Sequence, residues 1–257
     1  MDYQNIKGEN VPALGLGTWR LSGEQCARAV ERALSMGYRH VDTAQMYGNE
    51  AEVGRGMKSS GVERGDVFLV TKVWSLDFAH EAVLGKTRES LRKLGTDYVD
   101  LLLMHWPSPS VPVGETLGAM VEIQEAGSVR HVGVSNFSPQ QVEEAAEYAT
   151  IFCNQVQYHP YRDQNELLGQ AGAMDYLLTA YSPVAKGRAA NDAILQEIGA
   201  DHEKTPAQVA LRWLVQQDKV AAIPKASSEE HLRANLNIFD FELSDEEMQR
   251  IFALARG

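Results

Sequence analysis

Short apolar runs alternate along the chain with segments of helical periodicity. Most of the runs are continuously apolar, as expected for strands of a parallel sheet that is buried on both faces. We predict eight such strands, at residues 14–17, 40–41, 67–70, 98–104, 132–134, 152–154, 177–180 and 220–223. The helical segments between them include residues 24–36, 50–57, 79–94, 115–127, 138–148 and 206–217. Eight strands that alternate with helices predict an α/β fold, the (β/α)8 or TIM barrel.

Both ends of the chain lie outside this alternation. Residues 6–11 are interpreted as a β-hairpin that turns at Gly8 and closes the bottom of the barrel. Ser244 followed by Glu247 is a capping box, which predicts an extra C-terminal helix. Because no linker or internal repeat divides the sequence, we expect one domain over residues 1–257.

Composition and charge narrow the class of protein. Hydrophobic residues make up 44% of the 257 residues, and the net charge of −11 argues against a nucleic-acid partner. We find neither a secretory signal nor an apolar run of ~18 residues, the length needed to span a bilayer. Cys26 and Cys153 are far apart and are expected to be free thiols in a reducing compartment. We therefore expect a cytoplasmic protein without a membrane partner, and a monomer.

Polar or aromatic residues follow every predicted strand. In a barrel the carboxyl ends of all strands meet at one mouth, so these residues are expected to share a pocket. They are Thr18-Trp19, Asp42, Thr71-Lys72, His105-Trp106, Ser135-Asn136, Gln155, Tyr181-Ser182 and Pro224-Lys225. Any one of them alone would be an ordinary loop residue, but eight converging positions predict an active site.

The strand that ends at Asp42 leads into a loop that carries Tyr47, and Asn49 is a plausible N-cap of the following helix. A free phenol has a pKa of ~10. We expect the ammonium group of Lys72 to lie beside Tyr47 and lower that pKa, and Asp42 to pair with Lys72. His105 can position a substrate oxygen by a hydrogen bond. A phenol tuned in this way is a general acid for the alkoxide that develops when a carbonyl group accepts a hydride.

The remaining mouth residues suit a nicotinamide cofactor as the hydride donor. Ser135, Asn136 and Gln155 offer the donors and acceptors that a carboxamide needs. Tyr181 can stack on a flat pyridine ring. Candidates for the pyrophosphate are Thr18, Ser182 and the loop 186–188.

These residues stand in segments that resemble the aldo-keto reductases over nearly the whole chain. The matching segments are residues 15–19, 37–44, 94–101, 105–107, 132–137, 154–161, 180–183, 223–225 and 235–241. The resemblance implies a catalytic tetrad of Asp42, Tyr47, Lys72 and His105, with Tyr47 as the proton donor. It also implies that the protein reduces aldehydes and ketones to alcohols, with NADPH extended across the barrel mouth.

The resemblance assigns the binding residues as well. It implies cofactor contacts from Gly17, Thr18, Trp19, Asp42, Ser135, Asn136, Gln155, Tyr181, Ser182, Pro183, Lys225, Ser227, His231 and Asn235. It implies substrate contacts from Trp19, Tyr47, Trp74, His105 and Trp106. No metal is expected.

The tract after the last strand departs from the family pattern. Typical members have Lys-Ser there and an arginine six residues past the lysine, and the serine and arginine help to hold the 2′-phosphate of NADPH. Lys225 and Asn235 fit this pattern, but Ala226 and His231 replace the serine and the arginine. A neutral histidine lacks the fixed fork of a guanidinium group, so we expect NADPH to be used and NADH to be tolerated better than by relatives. Residues that can compensate are Ser227, Ser228 and Arg233.

A second departure is length. The loop 106–115 is short, and the sequence stops at residue 257, right after the last predicted helix. We expect an open pocket walled by Trp19, Trp74 and Trp106 and therefore a broad specificity. This layout is similar to the short bacterial reductases that act on 2,5-diketogluconate and methylglyoxal.

Three other classes of protein are compatible with a barrel. In a Schiff-base lyase Lys72 would attack a carbonyl, but a lysine paired with Asp42 is protonated and a poor nucleophile. In a non-catalytic NAD(P)H-binding module the four catalytic residues would have no reason to be present together. A metal hydrolase is disfavoured because the seven histidines show no paired spacing.

Overall fold

The predicted barrel is present in the structure, a computed structural model that describes residues 1–255. Its strands are β1 (Tyr3–Ile6), β2 (Glu9–Pro12), β3 (Leu16–Gly17), β4 (His40–Asp42), β5 (Phe68–Val73), β6 (Val99–Met104), β7 (Val129–Ser135), β8 (Ile151–Gln157), β9 (Leu177–Tyr181) and β10 (Val220–Ala222). Strands β3 to β10 form one parallel sheet in chain order. The (β/α)8 prediction is thereby confirmed.

Helices follow the barrel strands and cover the outside of the sheet. They are α1 (Gly23–Ser35), α2 (Glu50–Ser60), α3 (His80–Leu94), α4 (Val113–Glu125), α5 (Pro139–Ala146), α6 (Asn165–Met174), α7 (Ala193–Asp201), α8 (Pro206–Val215), α9 (Glu229–Leu236) and α10 (Asp245–Ala253). The predicted capping box of Ser244 and Glu247 starts α10. No helix within residues 1–255 has both the length and the apolar character needed to cross a bilayer.

The sheet closes on itself because the backbone before β3 pairs with β10. Leu14 forms a parallel bridge with Ala222. The amide of Gly15 donates to the carbonyl of Ala222 at 2.8 Å, and the amide of Ala222 donates to the carbonyl of Ala13 at 2.8 Å. Closure leaves the sheet without an exposed edge.

The N-terminal hairpin fills the bottom of the barrel, as predicted. Strands β1 and β2 pair in antiparallel register around the turn at Gly8. Their side chains Ile6 and Val11 are fully buried among the inward-facing residues of the barrel, which include Phe68 and Phe152. Only the carboxyl end of the barrel is therefore left open for a ligand.

Several strands run further than their apolar runs indicated, and the predicted strand ends were wrong there. Strand β5 continues through Lys72 to Val73, and β8 continues through Gln155 to Gln157. The polar side chains at these positions are buried and find hydrogen-bond partners inside the barrel mouth, so strand pairing does not stop at them. Helices α6, α7 and α9 were not predicted, and each has only eight to ten residues.

Candidate active site

A cleft of about 530 Å³ opens at the carboxyl end of the barrel, and we call it the main cleft. Most of the predicted site residues line it. These are Gly17, Trp19, Asp42, Tyr47, His105, Trp106, Ser135, Asn136, Gln155, Tyr181, Ser182, Pro183, Lys186 and Lys225. The convergence expected from the strand ends is thus realised at a single site.

Three of the four predicted catalytic residues are joined by hydrogen bonds through Lys72. Its Nζ donates to Asp42 Oδ1 at 2.7 Å and to the carbonyl of Thr43 at 2.8 Å, and it lies 3.5 Å from the hydroxyl of Tyr47. The second oxygen of Asp42 accepts a hydrogen bond from Gln155 Nε2 at 2.7 Å. Lys72 is fully buried beneath the cleft, whereas Asp42 and Tyr47, on either side of it, both line the cavity.

The charges of this group are set by burial and by one another. Burial acts to lower the pKa of Lys72, but Asp42 and Tyr47 outweigh it and the pKa is raised, so the side chain is an ammonium. Burial raises the pKa of Tyr47 above its ordinary value, and Lys72 only opposes that rise. The expected lowering of this pKa was wrong, because the desolvation of the phenolate exceeds its attraction to Lys72. Tyr47 is therefore a protonated phenol near neutral pH.

His105 completes the predicted tetrad as a neutral imidazole. It is 6% exposed, and its ring lies edge-on to Tyr47 and Trp74 at centroid distances of 5.7 and 5.4 Å. Burial, and after it the charge of Lys72, lower its pKa to about 3. Its Nδ1 has no hydrogen-bond partner within residues 1–255. A neutral ring can donate from one nitrogen to an oxygen in the cleft.

A second hydrogen-bond network fixes the polar residues at the ends of β7, β8 and β9. Asn136 Nδ2 donates to the carbonyl of His105 at 3.1 Å and to Ser135 Oγ at 3.0 Å. Its Oδ1 accepts from the Tyr181 hydroxyl at 2.8 Å, and Ser135 Oγ donates to the carbonyl of Gln155 at 2.8 Å. The network holds amide and hydroxyl groups beside the Tyr181 ring, which is a donor set that fits a carboxamide on a flat heterocycle.

Gly17 gives this end of the cleft its shape. A Cβ atom at this position would lie 2.6 Å from the carbonyl oxygen of Ile223. The amide of Gly17 donates to the carbonyl of Pro224 at 3.1 Å, so the two segments approach closely where the cleft begins. Only glycine permits this approach.

Some predicted binding residues lie outside the main cleft. Thr18 is fully buried, and its hydroxyl donates to the carbonyl of Asp42 at 2.9 Å, so it has no free donor for a ligand. Trp74 packs behind His105 and lines a separate small cavity of about 140 Å³. Trp74 is not part of the lining of the main cleft, and its predicted contact with the substrate stays a prediction.

The three predicted residues near α9 are also outside the main cleft. Ser227 precedes the helix, and His231 and Asn235 lie on it. Their predicted contacts with the cofactor stay predictions.

The sequence reasoning missed several residues that line the cleft. These are Arg20, Met46, Gln157, Val184 and Ile223. Arg20 has a positive φ of 65° and lies 4.3 Å from the centre of the Trp19 ring. Gln157 is two residues after Gln155 on β8, so the alternation of the strand would have found it had the strand end been known.

Asn49 holds the two loops of the mouth together instead of capping α2 as expected. It stands at the N-cap position, but its side chain makes no cap hydrogen bond. Its Nδ2 donates to the carbonyls of Thr18 and Leu21 at 3.0 and 2.9 Å, and its Oδ1 accepts from Thr43 Oγ1 at 2.7 Å. The loop that carries Trp19 is thereby tied to the segment whose carbonyl holds Lys72.

No group of three or more potential metal ligands lies together within residues 1–255. Cys26 and Cys153 are both buried and unbridged. Neither residue belongs to the main cleft.

A closed parallel barrel whose mouth joins an aspartate, a lysine, a tyrosine and a histidine defines an aldo/keto reductase site. The family model described as the aldo/keto reductase family matches residues 13–256, and the chain belongs to this family.

Proteins similar to this chain have related names. An aldo-keto reductase of Mycolicibacterium smegmatis is 40% identical, with 97% of this chain and 92% of the relative covered. Methylglyoxal reductase DkgB of Salmonella typhimurium is 39% identical, with 95% and 93% covered. A crystal structure described as a 2,5-diketo-D-gluconic acid reductase B is 51% identical and superposes with a TM-score of 0.97, covering 99% of this chain and 91% of that one.

The family decides between the classes of protein that a barrel permits. The protein is an NAD(P)H-dependent oxidoreductase, and carbonyl reduction is the reaction that its relatives' names indicate. The geometry of Lys72 agrees, since an ammonium group fully buried against Asp42 cannot attack a carbonyl carbon.

Proposed function

We propose that this oxidoreductase reduces small aldehydes and 2-oxoaldehydes such as methylglyoxal, and 2,5-diketo-D-gluconate, with NADPH as its usual hydride donor. Tyr47 is the proton donor in this proposal. The observation that carries it is the contact from Asp42 through Lys72 to the Tyr47 hydroxyl, at 2.7 and 3.5 Å, which ends in the main cleft. The names of the similar proteins supply the substrate candidates.

Tyr47 acts as a general acid. Its raised pKa keeps it protonated near neutral pH, so a proton is available at the cleft when a carbonyl oxygen gains negative charge. The phenolate that remains after transfer faces the ammonium group of Lys72, and Asp42 keeps that group charged and in place. The stabilisation grows as the proton leaves, so it is larger in the transition state than in the ground state, and this difference accelerates the reaction.

His105 orients the substrate oxygen. Its pKa of about 3 means that the ring is neutral in use, so it donates a hydrogen bond without competing with Tyr47 as an acid. Tyr47 and Trp74 lie edge-on to the ring and fix its orientation. A carbonyl oxygen held between the two donors is aligned for protonation.

The remaining mouth residues hold the cofactor, which supplies the hydride when it is bound. Ser135, Asn136 and Gln155 are the polar groups for its carboxamide, and Tyr181 offers a ring face for the nicotinamide. Lys225 and Lys186 line the same cleft and bring positive charge for the phosphates.

The rim of the cleft supports a broad range of small substrates. Trp19, Met46 and Trp106 are 40%, 44% and 45% exposed, although their side chains are large and apolar. Such a rim binds by apolar contact and imposes few directional requirements. Selection then depends on the reacting group at Tyr47 more than on the rest of the substrate.

The choice between NADPH and NADH depends on residues beyond the main cleft. Ser228 Oγ accepts from the amide of His231 as the cap of α9, and Arg233 pairs with Glu229 at 3.0 Å. Both side chains are therefore engaged within α9 and do not take the place of the arginine that typical family members have. The first turn of α9 also carries two carboxylates, Glu229 and Glu230, which repel a phosphate. We infer that the 2′-phosphate is held weakly and that NADH is tolerated.

Steady-state kinetics with the two cofactors test this inference. We expect kcat/KM for NADPH to exceed that for NADH by less than ~100-fold, and His231→Arg to raise the ratio by about tenfold through a charge-assisted contact. A ratio of ~1000-fold or more in the native protein, about 4 kcal/mol, would contradict it.

The proposed activity is tested by NADPH oxidation with methylglyoxal, 2,5-diketo-D-gluconate and aromatic aldehydes, for the native protein and Tyr47→Phe. We expect turnover of these carbonyls by the native protein and loss of turnover by the variant, with NADPH binding retained by both. Full turnover by Tyr47→Phe would exclude Tyr47 as the proton donor. No turnover of any carbonyl by the native protein would overturn the proposed substrates.

A further inference from the structure

A second cavity adjoins the main cleft, and we call it the side cleft. Its volume is about 590 Å³. Trp106, Asn136, Gln157 and Tyr181 line both cavities, so the two are neighbours across a wall of four side chains. The far side of the side cleft is built by the loop after β8 and by the beginnings of α5 and α6. The cavity that contains Tyr47 and the side cleft therefore share part of their lining.

Arg162 is the cation of the side cleft. It is exposed, and within residues 1–255 it forms no ion pair. The hydrogen bond of its guanidinium group goes from Nη1 to Gln157 Oε1 at 3.4 Å, which leaves most of its five donors free. Burial raises the pKa of Tyr181 and Arg162 opposes this rise, so its charge is felt at the shared wall.

The rest of the lining mixes donors with acceptors. Gln141 contributes an amide, while Asp163 and Glu166 contribute carboxylates, so the cavity is not a simple anion site. Hydroxyl groups both donate and accept, and vicinal hydroxyls match such a lining better than an apolar or a purely anionic group does. Trp106 adds an exposed ring face at the wall, 45% of whose surface is accessible.

We propose that the side cleft is a subsite for the hydroxylated tail of sugar-derived carbonyl substrates, with Arg162 as its principal hydrogen-bond donor. The proposal rests on the proposed function, since it places the reacting carbonyl of the same molecule beside Tyr47. It deepens that function, because it separates substrates that have a polyol tail from those that end at the reacting group. In this proposal methylglyoxal, which has no polyol tail, does not contact Arg162, whereas the tail of a six-carbon 2-oxoaldehyde does.

The test compares methylglyoxal with D-glucosone, two 2-oxoaldehydes that differ in the polyol tail. Arg162→Met removes the guanidinium group and keeps an unbranched side chain. We expect the apparent KM for D-glucosone to rise about tenfold, as for the loss of one charge-assisted hydrogen bond, with kcat within about twofold. The kinetics with methylglyoxal should not change. Part of the D-glucosone is cyclic in solution, but this part is the same for the native protein and the variant, so it does not affect the ratio of their KM values.

Two further variants control the experiment. Arg28→Met removes an exposed arginine on α1 that lines neither cleft, and it should leave both substrates unaffected. Arg162→Lys keeps the charge without the fork and should restore part of the loss. An unchanged KM for D-glucosone in Arg162→Met, or equal changes for both substrates, would overturn the subsite while leaving the reductase intact. Turnover of neither substrate by the native protein would instead overturn the proposed function, and the subsite with it.

Discussion

At the bottom of the barrel Asp100 pairs with Arg64, and at the mouth Asp42 pairs with Lys72, in both cases with a nitrogen–oxygen distance of 2.7 Å. Both carboxylates are almost completely buried. The two pairs therefore begin with the same electrostatic contact. What separates them is how the remaining hydrogen-bonding groups are used.

At the bottom of the barrel, every hydrogen bond of the ion pair is made to another group of the protein. Asp100 also accepts from Arg130 Nη1 at 3.0 Å and from the amide of Leu69 at 2.9 Å. Both guanidinium groups lie against the ring of Tyr98, at 4.0 and 4.4 Å. The arginines reach water, with 22% and 46% of their side chains exposed. All the hydrogen bonds of the Asp100 carboxylate are thus made within the protein, to two arginines that also reach water and to one backbone amide. This arrangement holds neighbouring strands together and leaves no group free to bind a ligand.

At the mouth, Asp42 and Lys72 are firmly hydrogen-bonded to the protein, but the contact that leads from Lys72 to the cleft is weak. Lys72 cannot reach water, and its contact with the Tyr47 hydroxyl, 3.5 Å, is the longest of its three. That hydroxyl faces the main cleft. The contact between the buried ammonium group of Lys72 and Tyr47 is long, so it can shorten when a substrate binds in the cleft and draws the proton from the hydroxyl. The two pairs differ in that the Tyr47 hydroxyl at the mouth is held only by a long contact, whereas both oxygens of Asp100 are fully engaged.

The largest expected effect separates the two phenols that accompany these pairs. Tyr47→Phe should lower kcat by about 10²- to 10⁴-fold, since it removes the general acid, with little change in the free energy of unfolding. Tyr98→Phe is the matched control, because it removes a phenol that accepts from Arg130 Nη2 at 3.1 Å. It should leave kcat unchanged. Steady-state kinetics and urea unfolding of both variants measure these outcomes, and a catalytic loss in Tyr98→Phe would break the comparison.

The two carboxylates are compared by Asp42→Asn and Asp100→Asn. Asp42→Asn leaves Lys72 buried without its counter-charge, so we expect a loss of about 3–5 kcal/mol in stability together with most of kcat. Asp100→Asn should cost less stability, about 2 kcal/mol, because Arg64 and Arg130 can be hydrated. Its kcat per folded molecule should match that of the native protein. Equal catalytic losses in the two folded variants would contradict the distinction between them.

The sequence predicts the barrel, the hairpin plug and the place of the four proposed catalytic residues at the barrel mouth. These depend on local signals, namely apolar runs, caps and the polar residues after strands. The strand ends at Lys72 and Gln155 were missed because burial in the barrel mouth permits polar residues to continue a strand. No local pattern contains that information.

The sign of the pKa shift at Tyr47 could not be predicted from residue types. The attraction of Lys72 is implied by the sequence, but the opposing desolvation depends on how deeply the loop lies, which only the fold determines. The side cleft could not be predicted from the sequence for a similar reason. Arg162 and Trp106 belong to different loops, and nothing in the sequence indicates that their side chains line one cavity.

An intermediate effect is expected from acid, because His105 has no carboxylate partner to favour its protonated form. Its pKa is about 3 in the folded protein and ~6.5 in an unfolded chain. Below about pH 6.5 the unfolded state binds a proton at this ring and the folded state does not, so the free energy of unfolding falls as pH drops towards 3. The loss from this one group between pH 7 and pH 5 is about 2 kcal/mol.

His105→Gln removes the titrating ring and should abolish that part of the acid loss. Urea unfolding at both pH values for the native protein and the variant isolates it as a difference of differences. His80→Gln is the control, since His80 is an exposed residue at the start of α3, with 40% of its side chain accessible. If His105→Gln lost as much stability in acid as the native protein, the conclusion that His105 is buried as a neutral ring would be wrong.

The smallest catalytic effect is expected from two buried amides that each hold three backbone or hydroxyl partners. Asn49 ties the loops of the mouth together, and Gln4 ties the hairpin to the barrel by donating to the carbonyls of Val215 and Gln217 and accepting from the amide of Lys219. Asn49→Ala and Gln4→Ala should each cost about 1–3 kcal/mol in stability, as expected when buried partners lose their hydrogen bonds.

Only Asn49→Ala should also affect catalysis, by about tenfold in kcat/KM, because Thr43 and the Trp19 loop lose their support near Lys72. Measurement of kcat/KM well below the unfolding transition of each variant separates this effect from simple unfolding. A catalytic loss of the same size in Gln4→Ala would mean that rigidity of the whole barrel, rather than the local arrangement at its mouth, positions Tyr47 and Lys72.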